Sequence, residues 1–198
     1  MQRILLTGFE PFHKSSQNPS QEIIKRISHP NLVAKEVLPV TFGEASQKLI
    51  SLIDLHKPNV VIALGQAEGR THITPERIAI NLDDARIADN AGNSPKERPI
   101  VAGGPNAYFT TLPVGELVER LNEDGVPASI SLSAGTFVCN HIFYAMQHHC
   151  LDKEIKSGFI HLPLMESQAS EFPGMPTMPI EEMVRGIGLV LDVLAEDS

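Results

Sequence analysis

Short apolar runs alternate with longer amphipathic stretches along this chain. Runs at 3–7, 32–38, 60–64, 78–82, 128–132 and 158–162 are rich in Ile, Leu and Val and read as strands. Between several of them the apolar positions recur at helical spacing, which predicts helices over 19–27, 42–56, 114–124, 137–150 and 179–195. The first opens on Asn18-Pro19, a side-chain cap followed by the residue best suited to a first helical turn. Strand–helix alternation of this kind predicts an α/β domain whose helices cover both faces of a mixed, largely parallel sheet. Two stretches break the pattern. Residues 83–112, with their Gly, Pro and Asn, and 167–179, with Pro173, Gly174, Pro176 and Pro179, read as long loops, the kind that carry function in compact domains.

Composition narrows the class. A length of 198 residues suits a single domain spanning 1–198, and no linker, repeat or low-complexity tract divides it. The formal net charge of −8 argues against nucleic acid phosphates or anionic lipid as partners. No apolar run reaches the ~18 residues that a membrane span needs, and the first residues run into a strand without a leader pattern. The two cysteines, Cys139 and Cys150, make no disulfide framework, so a cytosolic location is expected. No dinucleotide, phosphate-loop, serine-elbow or zinc-helix motif is present, and nothing calls for a metal or cofactor.

Candidate chemistry gathers at the ends of the apolar runs, where open α/β sheets place their ligands. Cys139, in the segment Ser133-Ala134-Gly135-Thr136-Phe137-Val138-Cys139-Asn140-His141, sits where a strand is expected to pass into a helix. A helix N-terminus favours the thiolate, so a depressed thiol pKa is expected and Cys139 is the candidate nucleophile. Of eight histidines, His161 stands out because it interrupts an apolar strand near its end, as a base for the thiol would. His141 is expected to serve packing or a polar contact, and His148 and His149 a solvated helix end. A carboxylate that orients the base is sought among Glu76, Asp83 and Asp84; pairing with Arg77 or Arg86 would make the aspartates structural. Sequence pattern alone leaves that choice open.

Four segments in order then resemble one family. Thr7-Gly8-Phe9-Glu10-Pro11-Phe12, Ile73-Thr74-Pro75-Glu76-Arg77 with Ala79-Ile80-Asn81, the Cys139 segment, and Phe159-Ile160-His161-Leu162-Pro163 together resemble the pyrrolidone-carboxylate peptidases, or type I pyroglutamyl peptidases. The resemblance implies a three-layer α/β/α globule with a twisted mixed sheet. It also implies cysteine peptidase activity on peptides with an N-terminal pyroglutamyl residue, a cytosolic location, no cofactor and a homotetramer. Carried over by motif, Cys139 is the nucleophile, His161 the base and acid, and Glu76 the residue that orients the imidazole. Phe9, Phe12, Phe137 and Val138 would line the lactam pocket, with Asn18 and the Gln66 backbone as hydrogen-bond partners. Arg86 and the Cys139 N–H would hold the oxyanion. Two other readings make contrasting demands. A nucleoside phosphorylase or hydrolase would need ribose or phosphate ligands and no Cys139. A catalytically dead peptide binder would be free to lose any of the three candidate catalytic residues, and all three are present.

Overall fold

The computed structural model describes residues 2–196, so both ends of the expected 1–198 domain lie outside the described residues. The elements run β1 (Ile4–Phe9), α1 (Pro19–Arg26), β2 (Leu32–Leu38), α2 (Glu44–His56), β3 (Val60–Gln66), β4 (Thr74–Pro75), β5 (Ile78–Ile80), β6 (Ala107–Phe109), α3 (Val114–Glu123), α4 (Val138–Cys150), β7 (Lys156–Leu162), β8 (Leu164–Met165), β9 (Thr177–Met178) and α5 (Ile180–Glu196). Five strands form the central sheet in the order β2-β1-β3-β7-β4; β4 alone is antiparallel to its neighbour.

Side-chain alternation divides the core into two layers. Ile4 and Leu6 of β1, Val60, Ile62 and Leu64 of β3, and Ile160 and Leu162 of β7 face one side, where they pack on α1, α3 and α5. Leu5, Phe9, Val61, Ala63 and Phe159 face the other, against α2 and α4. A strand buried on both faces reads as a continuous apolar run, and β1 and β3 do so. The result is the three-layer α/β/α sandwich, with a mixed and mostly parallel sheet. Close packing fixes particular glycines: a Cβ on Gly8 would stand 2.7 Å from the Ser20 carbonyl oxygen, so α1 can lie against β1 only without that side chain.

Three expectations about elements need correction. The run 128–132 is extended but joins its neighbours only through bridges from Ala128 to Ile73 and Ser131 to Glu76. It lies outside the short β4 at the sheet margin, leaving Leu132 69% exposed. The run 78–82 supplies β5, which pairs with β6 in a separate two-stranded ribbon rather than in the main sheet. The expected loop 83–112 therefore contains a strand, and 167–179 contains β9, which pairs with β8. These short pieces lack the length and alternation that mark a strand in sequence.

Candidate active site

Sheet register builds the first half of the site. In the antiparallel β4–β7 pair, Thr74 stands opposite His161 and Pro75 opposite Ile160, while the Glu76 N–H continues the ladder to the Phe159 carbonyl at 2.8 Å. Alternation puts Glu76 and His161 on the same face as diagonal cross-strand neighbours. His161 Nδ1 donates to Glu76 Oε1 at 2.7 Å, and both side chains are almost completely buried. That bond fixes the tautomer with the proton on Nδ1, leaving the Nε2 lone pair as the base. Arg70 Nη1 lies 2.8 Å from the same Oε1. Burial works hardest on Glu76 and works upward, yet the His161 bond and charge, the Ser131 hydroxyl and the Arg70 charge together hold the carboxyl below its ordinary value. Oε2 is buried and makes no hydrogen bond within the distance and angle limits of one among the described residues.

Cys139 approaches from the other layer. It is the second residue of α4, whose N-cap Phe137 supplies no side-chain hydrogen bond to the first turn. The first-turn N–H groups are thus available to an incoming oxyanion. The odd positions of β3 face α4, and at Gly65 the missing side chain leaves room for the thiol. A Cβ there would stand 3.1 Å from Cys139 Sγ and 2.7 Å from the Phe159 ring. Cys139 is half-buried and lines the cavity described below. Burial, seconded by the Glu76 charge, pushes the thiol up to about 12 against the opposing pull of Arg70 and the Cys139 N–H. Desolvation thus works against the depressed thiol expected from the helix N-terminus. Burial lowers the His161 imidazole below its ordinary 6.5 despite the Glu76 bond and charge. Thiol and imidazole are both neutral at pH 7.

Both groups line one cavity of about 650 Å³ at the carboxyl ends of β1, β3 and β7. Phe9, Phe12, Asn18, Gln66, Arg86, Phe137 and Val138, singled out from sequence, all line it too. Phe12 and Phe137 are 5.0 Å apart between ring centroids, and Phe42 braces Phe137 edge-on at 5.2 Å. Asn18 Oδ1 accepts from Ser20 N and Ser20 Oγ, capping α1, and its Nδ2 donates to the Glu10 carbonyl at 3.0 Å. One Nδ2 hydrogen remains for a ligand. Arg86 is exposed at the rim; Thr136 holds its segment by exchanging hydrogen bonds with the Asp84 backbone. Glu76 lies outside the cavity lining and reaches it through His161.

The remaining candidates are placed elsewhere. Asp83 pairs with neither Arg77 nor Arg86 but with His141 Nδ1 at 2.9 Å, and Ser46 Oγ sits 3.0 Å from His141 Nε2. Asp84 lies 3.5 Å from Lys96. His148 bonds Tyr108, His149 bonds Asp54, and Cys150 is a buried free thiol. Among the described residues no three metal-ligating side chains converge. The sequence reading gave no role to Arg70, and Ile87 was not recognised as a lining residue. No spacing rule links Arg70 to Glu76; only the folded loop does.

A thiol, a neutral imidazole and a carboxylate gathered at the strand ends of an α/β/α sandwich define a cysteine-dependent hydrolase. Comparison with known proteins makes the class specific. The family model described as pyroglutamyl peptidase matches residues 2–197. A pyrrolidone-carboxylate peptidase of Vibrio vulnificus (strain YJ016) is 48% identical over 195 residues, covering 96% of this chain and 92% of its own. One from Bacillus mycoides is 45% identical over 203 residues, covering 99% of this chain and 94% of its own. Among solved structures, pyroglutamyl peptidase I from Bacillus amyloliquefaciens superposes with a TM-score of 0.91 at 39% identity, over 95% of this chain and 92% of that one. Pyrrolidone carboxyl peptidase from Pyrococcus furiosus gives 0.93 at 38% identity, over 98% of this chain and 99% of that one. The chain belongs to the pyroglutamyl peptidase family and is a cysteine peptidase. That membership sets aside the nucleoside-directed alternative.

Proposed function

We propose that this chain, as a single domain, hydrolyses the amide bond after an N-terminal pyroglutamyl residue, with Cys139, His161 and Glu76 as its catalytic residues. The observation that carries the assignment is the shared cavity of Cys139 and His161, with His161 Nδ1 held by buried Glu76 at 2.7 Å. Pyroglutamate is a neutral lactam without an α-ammonium, so its pocket calls for flat apolar walls and few polar partners. Phe9, Phe12, Phe137 and Val138 supply such walls. The Asn18 Nδ2–H is suited to the lactam carbonyl and the Gln66 carbonyl to the lactam N–H.

Because thiol and imidazole rest neutral, the nucleophile is made during attack. Cys139 Sγ adds to the pyroglutamyl carbonyl carbon as its proton passes to His161 Nε2. The oxyanion is held by the Cys139 N–H and Arg86. Glu76 stabilises the imidazolium, which then gives its proton to the leaving amine as the C–N bond breaks. Water, deprotonated by the same nitrogen, attacks the thioester; the thiolate leaves and is reprotonated. A reduced thiol is essential to this cycle and suits a cytosolic location. Exposed Phe109 and Leu132, on backbone segments that both hydrogen bond to Arg77, suit a subunit contact in a homotetramer.

The test is amine release from a fluorogenic pyroglutamyl amide and from the matching prolyl amide, with and without prior iodoacetamide treatment at pH 9 carried until Cys139 is alkylated by mass spectrometry. Release from the pyroglutamyl amide alone, stopped by alkylation, supports the assignment. Equal release from both, or release indifferent to alkylation, overturns it.

A further inference from the structure

Arg70 takes no proton in the cycle above, yet it is bonded to the group that orients the base. Its Nη1 is 2.8 Å from Glu76 Oε1, the same oxygen that receives the His161 Nδ1–H. The same nitrogen donates to Thr74 Oγ1, and Thr74 Oγ1 donates to the His161 carbonyl at 3.3 Å. Nη2 donates to the Ser133 carbonyl at 3.1 Å, in the turn that leads into α4 and Cys139. One guanidinium therefore spans the acid, the strand edge paired with His161, and the turn that delivers the nucleophile. Its side chain is 24% exposed and borders the cavity.

The charges around His161 give this contact a consequence. From the end of β4 it faces the Glu76 carboxylate, and from α4 the Cys139 thiol. His13, Glu68, Asp84 and Arg86 lie around the rest of the cavity. A buried carboxylate with no cation beside it draws the neighbouring imidazole into its charged form, and an imidazolium cannot accept the thiol proton. We infer that Arg70 is a positioning residue for the proposed reaction: it offsets the charge of Glu76, helping burial to keep His161 a neutral base, and its fork fastens the Ser133 turn to the β4 edge. This inference rests on the assignment of His161 as the base. The two duties divide by chemistry. A lysine keeps the charge but cannot hold three acceptors in a planar fork, whereas a glutamine keeps neither charge nor fork.

The test compares Arg70→Gln and Arg70→Lys with the unaltered protein, by pH profiles of kcat/KM on a pyroglutamyl amide and by NMR titration of the His161 imidazole. In Arg70→Gln the acid limb and the imidazole titration should both move to higher pH, by about one pH unit. In Arg70→Lys both should stay in place while the plateau falls about tenfold from lost orientation. An unmoved imidazole in folded Arg70→Gln overturns the inference, as does an Arg70→Lys protein matching the unaltered plateau. If Arg70→Gln does not fold, Arg70→Lys decides: an unmoved limb with a lowered plateau supports the inference, and a moved limb or an unchanged plateau overturns it. Should the unaltered protein release no amine, the proposed function fails on its own; the imidazole titrations of Arg70→Gln and Arg70→Lys still decide whether Arg70 keeps His161 neutral.

Discussion

At the scale of single residues, the site works through what surrounds each group more than through which group it is. Cys139 occupies a helix N-terminus, yet burial pushes its thiol up to about 12. Alkylation in the absence of substrate should therefore be slow at pH 7 and still rising at pH 9, because the thiolate is the reactive species. An alkylation rate that levels off below pH 6 would mean a preformed thiolate. Gly65 matters because of an absence: a Cβ there would meet the Phe159 ring at 2.7 Å and Cys139 Sγ at 3.1 Å. Gly65→Ala should cost about 1–3 kcal/mol of stability through overpacking. It should also lower kcat, since the thiol is displaced; denaturant melts and steady-state kinetics check the two effects separately.

At the scale of elements, the first turn of α1 has both a structural and a binding duty. Asn18 caps the helix through Ser20, ties itself to the Glu10 carbonyl and lines the cavity with one Nδ2 hydrogen unused. Asn18→Ala should lose about 1 kcal/mol from the cap and raise KM. Asn18→Asp should restore the cap but leave KM raised, because it has no hydrogen to donate; thermal melts and KM values separate these outcomes. The helix could be read from Asn18-Pro19, and the long strands from their unbroken apolar runs. Cys139 and His161 could be singled out by their place at a strand end or turn. What stayed hidden depends on tertiary pairing. The β4–β7 register that sets Glu76 diagonal to His161 involves a two-residue strand with no periodicity of its own. The edge segment 128–132 alternates like a strand but finds only two bridges. Arg70 lies in a loop, where its partners follow from the folded path and not from spacing.

At the scale of the whole molecule, the layers and the site share a pH dependence. Glu76 is held below its ordinary 4.5 in the fold, so its contribution to stability is full above that value and is lost as pH falls through the lowered one. His161 is held below its ordinary 6.5, so the fold resists its protonation and loses stability as pH falls from there towards the lowered value. Both act in the same direction. The melting temperature should fall as pH drops from 7 towards 4, and less steeply in a Glu76→Gln, His161→Gln double variant; equal slopes would place the acid sensitivity elsewhere. The cavity itself stands where the three central parallel strands end, with its thiol delivered from one helical layer and its base from the sheet. Everything proposed for that cavity depends on Cys139 being the nucleophile. The most direct measurement is amine release from a pyroglutamyl amide by Cys139→Ala, alongside circular dichroism to confirm its fold. The account predicts a folded protein with no release above background; release at the unaltered rate would contradict it.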